Sequence, residues 1–567
     1  MSATSDEPAH LTSGYLALRN KDFRLDPEHP PLLRMWAAIP LLAQRNTKLP
    51  AIDISKVDPS KWVSADQGAE LDYAFSFLYR MNDADHMLYS ARFMISVLGV
   101  LLGVLIFCWV RELQGYWPAV AALGFYTFEP NILAHASLVT TDFGITCFLF
   151  GAIYFLWRTS RSLTTGNLAG LAVFTSLAAI SKFSAIVLCP ILLVLLAIQI
   201  LRGPAWNCDI GESRQISSRF SRALVSLGVL LLIAATAWIA VWTAYGFRYL
   251  PSSAPGWQYT FDQNPAVHAK IPVRADVVQW VDEHHLLPNG YSEGLLVQQY
   301  KMNGRRAFLM GEISDTGWWY YFPFAFLIKT PISLIVFLIG GLAICALNWK
   351  KLSGSTAFIL LPPGIYMAAA MSSGMDIGLR HILPVYPFIV VLAALFAAMV
   401  FRWKHRFISA IFVISCIFWS IEFARVYPHN LAFFNSFIGG PANGYKYLAD
   451  SNVDWGQDLK GLKAWMDQNN VKTINLIYFG VADPVYYRIQ CNYLAGGTGY
   501  DMMQKQISAP RLPGYVAISE TQVDGVFLTP LGREYYAPLI DRRPVAVIGD
   551  SIQVFWAGDD WSDIKLH

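Results

Sequence analysis

Six stretches of this chain, 88–110, 139–157, 183–201, 223–245, 324–347 and 381–401, are each apolar over about 19 residues or more. A helix rises about 1.5 Å per residue and needs roughly 20 apolar residues to cross about 30 Å of hydrocarbon. Each stretch can therefore span a bilayer by itself, and this excludes an ordinary soluble fold. Shorter or interrupted segments at 117–128, 168–180, 355–373 and 407–424 bring the expected number of spans to about ten. Composition agrees: 15% of residues are charged, against about 25% in soluble domains. The expected fold is mostly α, a polytopic membrane bundle.

Ten alternating helices sort the loops by charge. Arg111, the Arg158/Arg161 loop, the loop with Arg202, Arg214, Arg219 and Arg222, the Lys350/Lys351 loop and the Arg402-Trp403-Lys404-His405-Arg406 loop all fall on one side. Short basic loops stay in the cytoplasm. The other side, expected to be extracytoplasmic at the plasma (inner) membrane, receives residues 1–87, the turn 129–138, the loop 246–323, the turn 374–380 and everything after about 425. A polar segment of 87 residues does not cross a membrane unaided, and Met1 to Ser5 has neither a basic nor an apolar region that would make a signal peptide. The simplest expectation is a first spanning helix that precedes Ser5 and is missing from this sequence.

Three regions follow: an extracytoplasmic loop (1–87), a helical bundle (88–424) that includes the loop 246–323 with its short capping helices, and a soluble extracytoplasmic α/β domain (425–567). Within the first, 32–43 is apolar but too short to span, and should lie at the interface or dock on the bundle. Within the last, 458–469 has helical periodicity, while 473–479, 515–518 and 545–548 read as strands. Of seven cysteines only Cys491 falls in an exported region, so no intrachain disulfide framework is expected. No Cys/His spacing demands a metal, so none is assigned, and a divalent metal stays an open candidate. The net charge of +3 points to no nucleic-acid partner.

Ionisable groups at membrane depth cost about 2.5–3.5 kcal/mol on insertion scales, so those retained are candidates for function. On the side away from the basic loops, Glu129, His135, Asp142, Lys182, Lys329, Asp376, Arg380 and His381 lie at or near span ends. With Asp6, Glu7, Glu28 and His29 they could line one cavity. The adjacent carboxylates Asp6 and Glu7 can divide the tasks of accepting a proton and orienting an acceptor. Arg380 can grip phosphate oxygens bidentately, Lys182 supplies a point charge and His381 a hydrogen-bond donor, which together suit a lipid-borne phosphate. The bland alternative pairs Asp376 with Arg380. His135 and Asp142 are candidates for the acceptor side of the cavity, and His29 for orienting Asp6.

Asp6-Glu7 followed by Glu28-His29-Pro30-Pro31-Leu32 resembles the first exported loop of the protein O-mannosyltransferases and related bacterial GT-C glycosyltransferases. The segments Ala134-His135-Ala136-Ser137-Leu138-Val139-Thr140-Thr141-Asp142, Ser181-Lys182-Phe183-Ser184, Gly378-Leu379-Arg380-His381-Ile382-Leu383-Pro384 and Asp450-Ser451-Asn452-Val453-Asp454-Trp455-Gly456-Gln457-Asp458 look like further signatures of the bacterial branch. The resemblance implies a GT-C-like bundle and a polyprenyl-phosphate sugar, mannose among the candidates, as donor. It also implies inversion at the anomeric carbon and an exported protein, lipid or glycan acceptor. It places the catalytic aspartate on Asp6, with Glu7 as its neighbour. The chain departs from the family in the missing first helix and in a C-terminal region unlike the β-trefoil of the eukaryotic enzymes. A competing class is a transporter or flippase for a lipid-linked or anionic solute. Against it stand the clustering of charge on one face and the lack of an inverted repeat. About ten spans are also too many for a mere anchor of a binding module.

Overall fold

The computed structural model describes residues 1–44, 46–51, 68–210, 214–302, 304–347, 349–403, 405–497, 507–558 and 561. Lys404 and the side chains of Arg214, Lys350 and Lys351 lie outside the described residues. Three short helices come first: α1 (Glu7–Asn20), α2 (Leu32–Ala38) and α3 (Gly68–Phe75). α1 stops at Lys21, which takes a left-handed conformation and donates its N–H to the Leu16 carbonyl. α2 starts after Pro30-Pro31, since consecutive prolines fix φ and forbid helix through that turn. With the 3₁₀ turn Ile39–Ala43 it docks on the bundle, burying Leu33, Ala37, Ala38 and Leu41. The helices touch closely. A Cβ on Gly14 would lie 2.0 Å from the Arg34 carbonyl oxygen, and one on Gly144 would lie 2.5 Å from Leu33 Cδ1.

The bundle follows: α4 (Ala84–Gln114), α5 (Tyr116–Thr127), α6 (Pro130–His135), α7 (Thr141–Arg161), α8 (Thr165–Ala179), α9 (Leu188–Arg202) and α10 (Arg219–Ala244). A cap of α11 (Pro265–Lys270), α12 (Pro272–Glu283) and α13 (Asn289–Met302) intervenes. Then come α14 (Tyr321–Lys329), α15 (Ile332–Leu347), α16 (Trp349–Met371), α17 (Tyr386–Trp403) and α18 (Arg406–Val426). Among the described residues seven helices are long and apolar enough to span, and an eighth if α14 and α15 count as one bent pair. The protein is a mostly helical, multi-pass membrane protein.

Three of the ten apolar segments differ from simple spans. The stretch 324–347 breaks into α14 and α15, which meet at 114°. Pro331 sits at the break, and Thr330 before it is extended, because a proline ring disfavours helix in the preceding residue. α5 and α8 have only 12 and 15 residues, about 18 and 22 Å long. They nevertheless carry the chain between opposite ends of the bundle. One end holds Glu112, 3.8 Å from Arg158, and a small sheet of β1 (Ser162–Leu163), β2 (Trp206–Cys208) and β3 (Arg214–Ile216). Trp157 Nε1 donates to Ser355 Oγ at this end as well. At the other end Lys182 meets Asp142, and Trp419 Nε1 donates to the carbonyl of Phe128, just past α5. The basic loops that can be described thus share one end, and the acidic and histidine-bearing turns share the other.

The capping loop also holds a hairpin, β4 (Ala307–Leu309) with β5 (Glu312–Ser314). Beyond α18 lie α19 (Leu459–Gln468) and a five-stranded mixed sheet of β6 (Ile474–Ile477), β7 (Cys491–Tyr493), β8 (Gly514–Ser519), β9 (Ala546–Ile548) and β10 (Ile552–Ala557). Its order is β7-β6-β8-β10-β9, with β6 parallel to β7 and β8, and β10 antiparallel to β8 and β9. β6 is buried along its whole length, as its unbroken Ile-Asn-Leu-Ile run between two parallel neighbours requires.

Candidate functional site

Asp6 immediately precedes α1 and Arg380 lies in the short 3₁₀ segment Leu379–Val385 ahead of α17. They are 374 residues apart, yet Arg380 Nη1 donates to Asp6 Oδ2 at 2.8 Å. The same guanidinium nitrogen is 3.5 Å from Asp142 Oδ2, at the N-terminus of α7. Asp142 Oδ1 accepts from Lys182 Nζ at 2.5 Å. Two carboxylates and two cations thus form one chain of charge at the end of the bundle away from the basic loops.

The segment 450–458 holds this arrangement in place. Trp455 lies under the Arg380 guanidinium, 4.1 Å from it to the ring centroid. Its carbonyl accepts from the Ser5 backbone N–H at 2.9 Å, which anchors the residue just before Asp6. Asn452 Oδ1 accepts from the Leu379 N–H, and Ser451 Oγ donates to the Ile377 carbonyl, so both sides of Gly378 are tied down. A side chain at Gly378 would place its Cβ 2.2 Å from Ser451 Oγ.

Asp6, Glu28, His29, Lys182, Arg380 and His381 line a common cavity of about 130 Å³, together with His10, Asp26, Glu70, Gln298 and Arg305. A second cavity of about 270 Å³ shares Lys182, Gln298, Met375 and His381 with it and adds Arg274, Tyr366 and Ser184. The walls where the two meet carry Lys182 and His381, both suited to an anion. One third of the Asp6 side chain is open. Burial opposes its charge, but Arg380 and then His10 hold the carboxyl below its usual range. It is ionised at neutral pH and faces the cavity.

Most of the remaining candidates lie away from the cavity. Glu7 points the other way: it is fully buried and accepts from Arg92 Nε at 2.8 Å, Arg92 Nη2 at 2.5 Å, Thr4 N at 2.8 Å and Val139 N at 3.0 Å. Successive residues at a helix start point about 100° apart, so adjacent carboxylates cannot share one wall. The structure therefore does not bring Asp6 and Glu7 together: Glu7 is the buried partner of Arg92. His135 is buried with its ring edge toward Trp455, and burial pushes it down to about 3, leaving it neutral. It lines neither cavity. Asp376 does not pair with Arg380; its Oδ2 accepts from the Trp318 N–H at 2.6 Å, and burial raises it to about 6. Glu129 caps α6 through the Ile132 N–H, and Lys329 donates to the carbonyls of Leu431 and Asn452. His29 faces the cavity but bonds to Asp26, not Asp6.

The cavity also contains residues that sequence reading passed over. His10 and Asp26 are buried and lie 2.7 Å apart, from His10 Nδ1 to Asp26 Oδ2. His10 is four residues after Asp6, on the same face of α1, a spacing that could have marked it. Asp26 carries no such mark. It reaches the cavity only because Lys21 and Asp26 itself take positive φ, at 54° and 57°, and fold the loop back on α1.

Residues 77–208 match the family model described as dolichyl-phosphate-mannose-protein mannosyltransferase. The match relates this chain to the mannosyltransferase family through a segment of less than a quarter of its length. That segment contains Asp142 and Lys182 but neither Asp6 nor Arg380. No curated protein matches the chain by sequence. Among solved structures, the Archaeoglobus fulgidus oligosaccharyltransferase in its apo form is 12% identical, covering 94% of this chain and 67% of that one, with a TM-score of 0.44. The archaeal oligosaccharyltransferase AglB from A. fulgidus, in complex with an inhibitory peptide and a dolichol-phosphate, is 13% identical over 100% and 71% of the two chains, with a TM-score of 0.42. ArnT from Cupriavidus metallidurans in the apo state is 12% identical over 98% and 94%, with a TM-score of 0.29.

Proposed function

We propose that this protein is a membrane glycosyltransferase that moves a sugar, mannose among the candidates, from a polyprenyl-phosphate donor to an acceptor hydroxyl with inversion. The reaction takes place on the extracytoplasmic face of the plasma membrane. The observation that carries the reading is the Asp6–Arg380 pair at the wall of a cavity that Lys182 and His381 also line. The relation of segment 77–208 to the mannosyltransferase family supports the chemistry. The orientation rests on the basic loops gathered at the opposite end of the bundle.

In this reaction the acceptor oxygen attacks the anomeric carbon, a new C–O bond forms, and the bond to the phosphate oxygen breaks with its electron pair leaving on the lipid phosphate. Asp6 takes the acceptor proton. Arg380, Lys182 and His381 face the charge that grows on the phosphate, so most of the acceleration comes from position and electrostatics. As the phosphate draws on the guanidinium, Arg380 keeps Asp142 as a second carboxylate partner, and Asp6 is released to act as base. His29 shapes the acceptor side of the cavity from the rigid His-Pro-Pro turn.

The direct test is purified protein in lipid with a labelled polyprenyl-phosphate sugar. Release of polyprenyl phosphate with label on an acceptor supports transfer, while vectorial movement without bond cleavage identifies a transporter. The pH profile gives a further check. Because Asp6 is held below the ordinary carboxyl range, its ionised form persists as pH falls. kcat/KM, which reports the free enzyme, is expected to stay level from pH 7 down to about 5, with its acid limb lower still. An acid limb centred near pH 6.5 assigns the base to a histidine instead.

A further inference from the structure

We propose that His10, Asp26 and His29 form a binding site for one divalent transition-metal ion of the zinc class. The site shares the cavity of the Asp6–Arg380 pair, one helical turn further along α1, and locks α1 against the turn that precedes α2. One ligand atom from each of the three residues can be chosen so that all lie within 4.8 Å of one another. His10 Nδ1 and His29 Nδ1 each sit 2.7 Å from a different oxygen of the Asp26 carboxylate. Zinc bonds of about 2.0–2.2 Å in a tetrahedron put donors roughly 3.4 Å apart, so small rotations of the two imidazoles bring all three onto one ion. Two imidazoles and a carboxylate suit zinc and its neighbours better than magnesium or calcium, which take oxygen ligands.

A second observation points to a cation at the same place. Glu70 is 4% exposed, lines the same cavity, and its Oε1 has no hydrogen-bond partner. The cations around this pocket are Arg34, 3.5 Å from Asp26 Oδ2, Lys301, paired with Glu28, and Lys182, Arg305 and Arg380 on the cavity wall. Arg34 also donates to the carbonyls of Leu25 and Asp26, which fixes the loop and leaves Asp26 held in place for a metal. The ligands come from three rigid pieces: the first turns of α1, the left-handed residue Asp26 and the His-Pro-Pro turn. Since Asp6 is one helical turn before His10, an ion here sets the rotation of α1 that aims Asp6 at Arg380.

The test uses the full-length protein in lipid nanodiscs, stripped by chelator and dialysed against Zn²⁺ or Co²⁺. About one Zn²⁺ per chain is expected by elemental analysis. The Co²⁺ form should show visible bands of a low-coordinate site, and Zn²⁺ should raise the melting midpoint. Asp26→Asn and His29→Gln are each expected to lower Zn²⁺ affinity at least tenfold and to alter the Co²⁺ bands. His29 is partly exposed, so its variant keeps the test valid if the Asp26 variant fails to fold. Folded wild-type protein that binds no more Zn²⁺ than His29→Gln overturns the proposal and leaves a triad joined by hydrogen bonds alone. Binding that survives both substitutions overturns it as well. No sugar donor enters these measurements, so they stand apart from the proposed transfer reaction.

Discussion

Asp6→Asn is expected to lower glycosyl transfer by about 10²- to 10⁴-fold, the usual loss on removing a general base, with little change in the amount of folded protein. The substitution conserves shape, and the amide oxygen can still accept from Arg380 Nη1, which now lies 2.8 Å from the carboxylate. What disappears is the site that receives the acceptor proton. Because the guanidinium loses its anionic partner at Asp6 while keeping Asp142 at 3.5 Å, its pull on the donor phosphate is not weakened. The loss should therefore appear in kcat, with donor KM unchanged or lowered. The measurement is single-turnover and steady-state transfer of labelled sugar in nanodiscs, normalised to folded protein. An Asn variant that transfers at the wild-type rate would remove Asp6 from the reaction.

Much of this architecture is legible in the residues, for identifiable reasons. Apolar runs of 20 residues leave few options in a bilayer, so all ten segments return as helices, and the loop charges sort to two ends because Arg and Lys resist transfer across lipid. The break at Pro331 was also written in the chain, but the surrounding hydrophobicity masks it when a window is averaged. The site is legible in part. Arg380 and Asp6 lie near span ends on the same side, and their meeting follows from topology. Three-dimensional detail decides the rest. Glu7 differs from Asp6 by about 100° of helix rotation, which turns a candidate for chemistry into a buried anchor. Asp26 lies in a polar loop with no periodicity and enters the cavity through two left-handed residues that no apolar pattern announces. Trp455 and Asn452 sit within a motif that was readable, yet their task of steadying Ser5 and the Gly378 turn depends on contacts across more than 70 residues of sequence.

The contrast between Asp6 and its neighbour yields the second large effect. Glu7→Gln is expected to destabilise the protein by about 3–5 kcal/mol, the usual result of breaking a buried ion pair from one side. Glu7 is fully buried and Arg92 nearly so, and four donors converge on the one carboxylate. An amide offers one acceptor oxygen and turns two hydrogens toward donors that need an acceptor, while Arg92 keeps its charge with no anion beside it. Burial opposes the Glu7 charge, but Arg92 and the backbone N–H groups of Thr4 and Val139 hold its pKa below the ordinary 4.5. A depressed folded-state pKa contributes stability above the unfolded value and loses it as pH falls through the folded one. The deficit of the variant should therefore be complete at pH 7 and narrow only below about 4.5. Thermal unfolding in nanodiscs at both pH values measures it, and the double variant Glu7→Leu/Arg92→Met should recover part of the loss, since no charge is left unpaired while the Thr4 and Val139 N–H groups lose their acceptor. Transfer activity in Glu7→Gln should fall only with its folded fraction, whereas Asp6→Asn loses activity while folded. A folded, stable Glu7→Gln that cannot transfer sugar would return Glu7 to the chemistry.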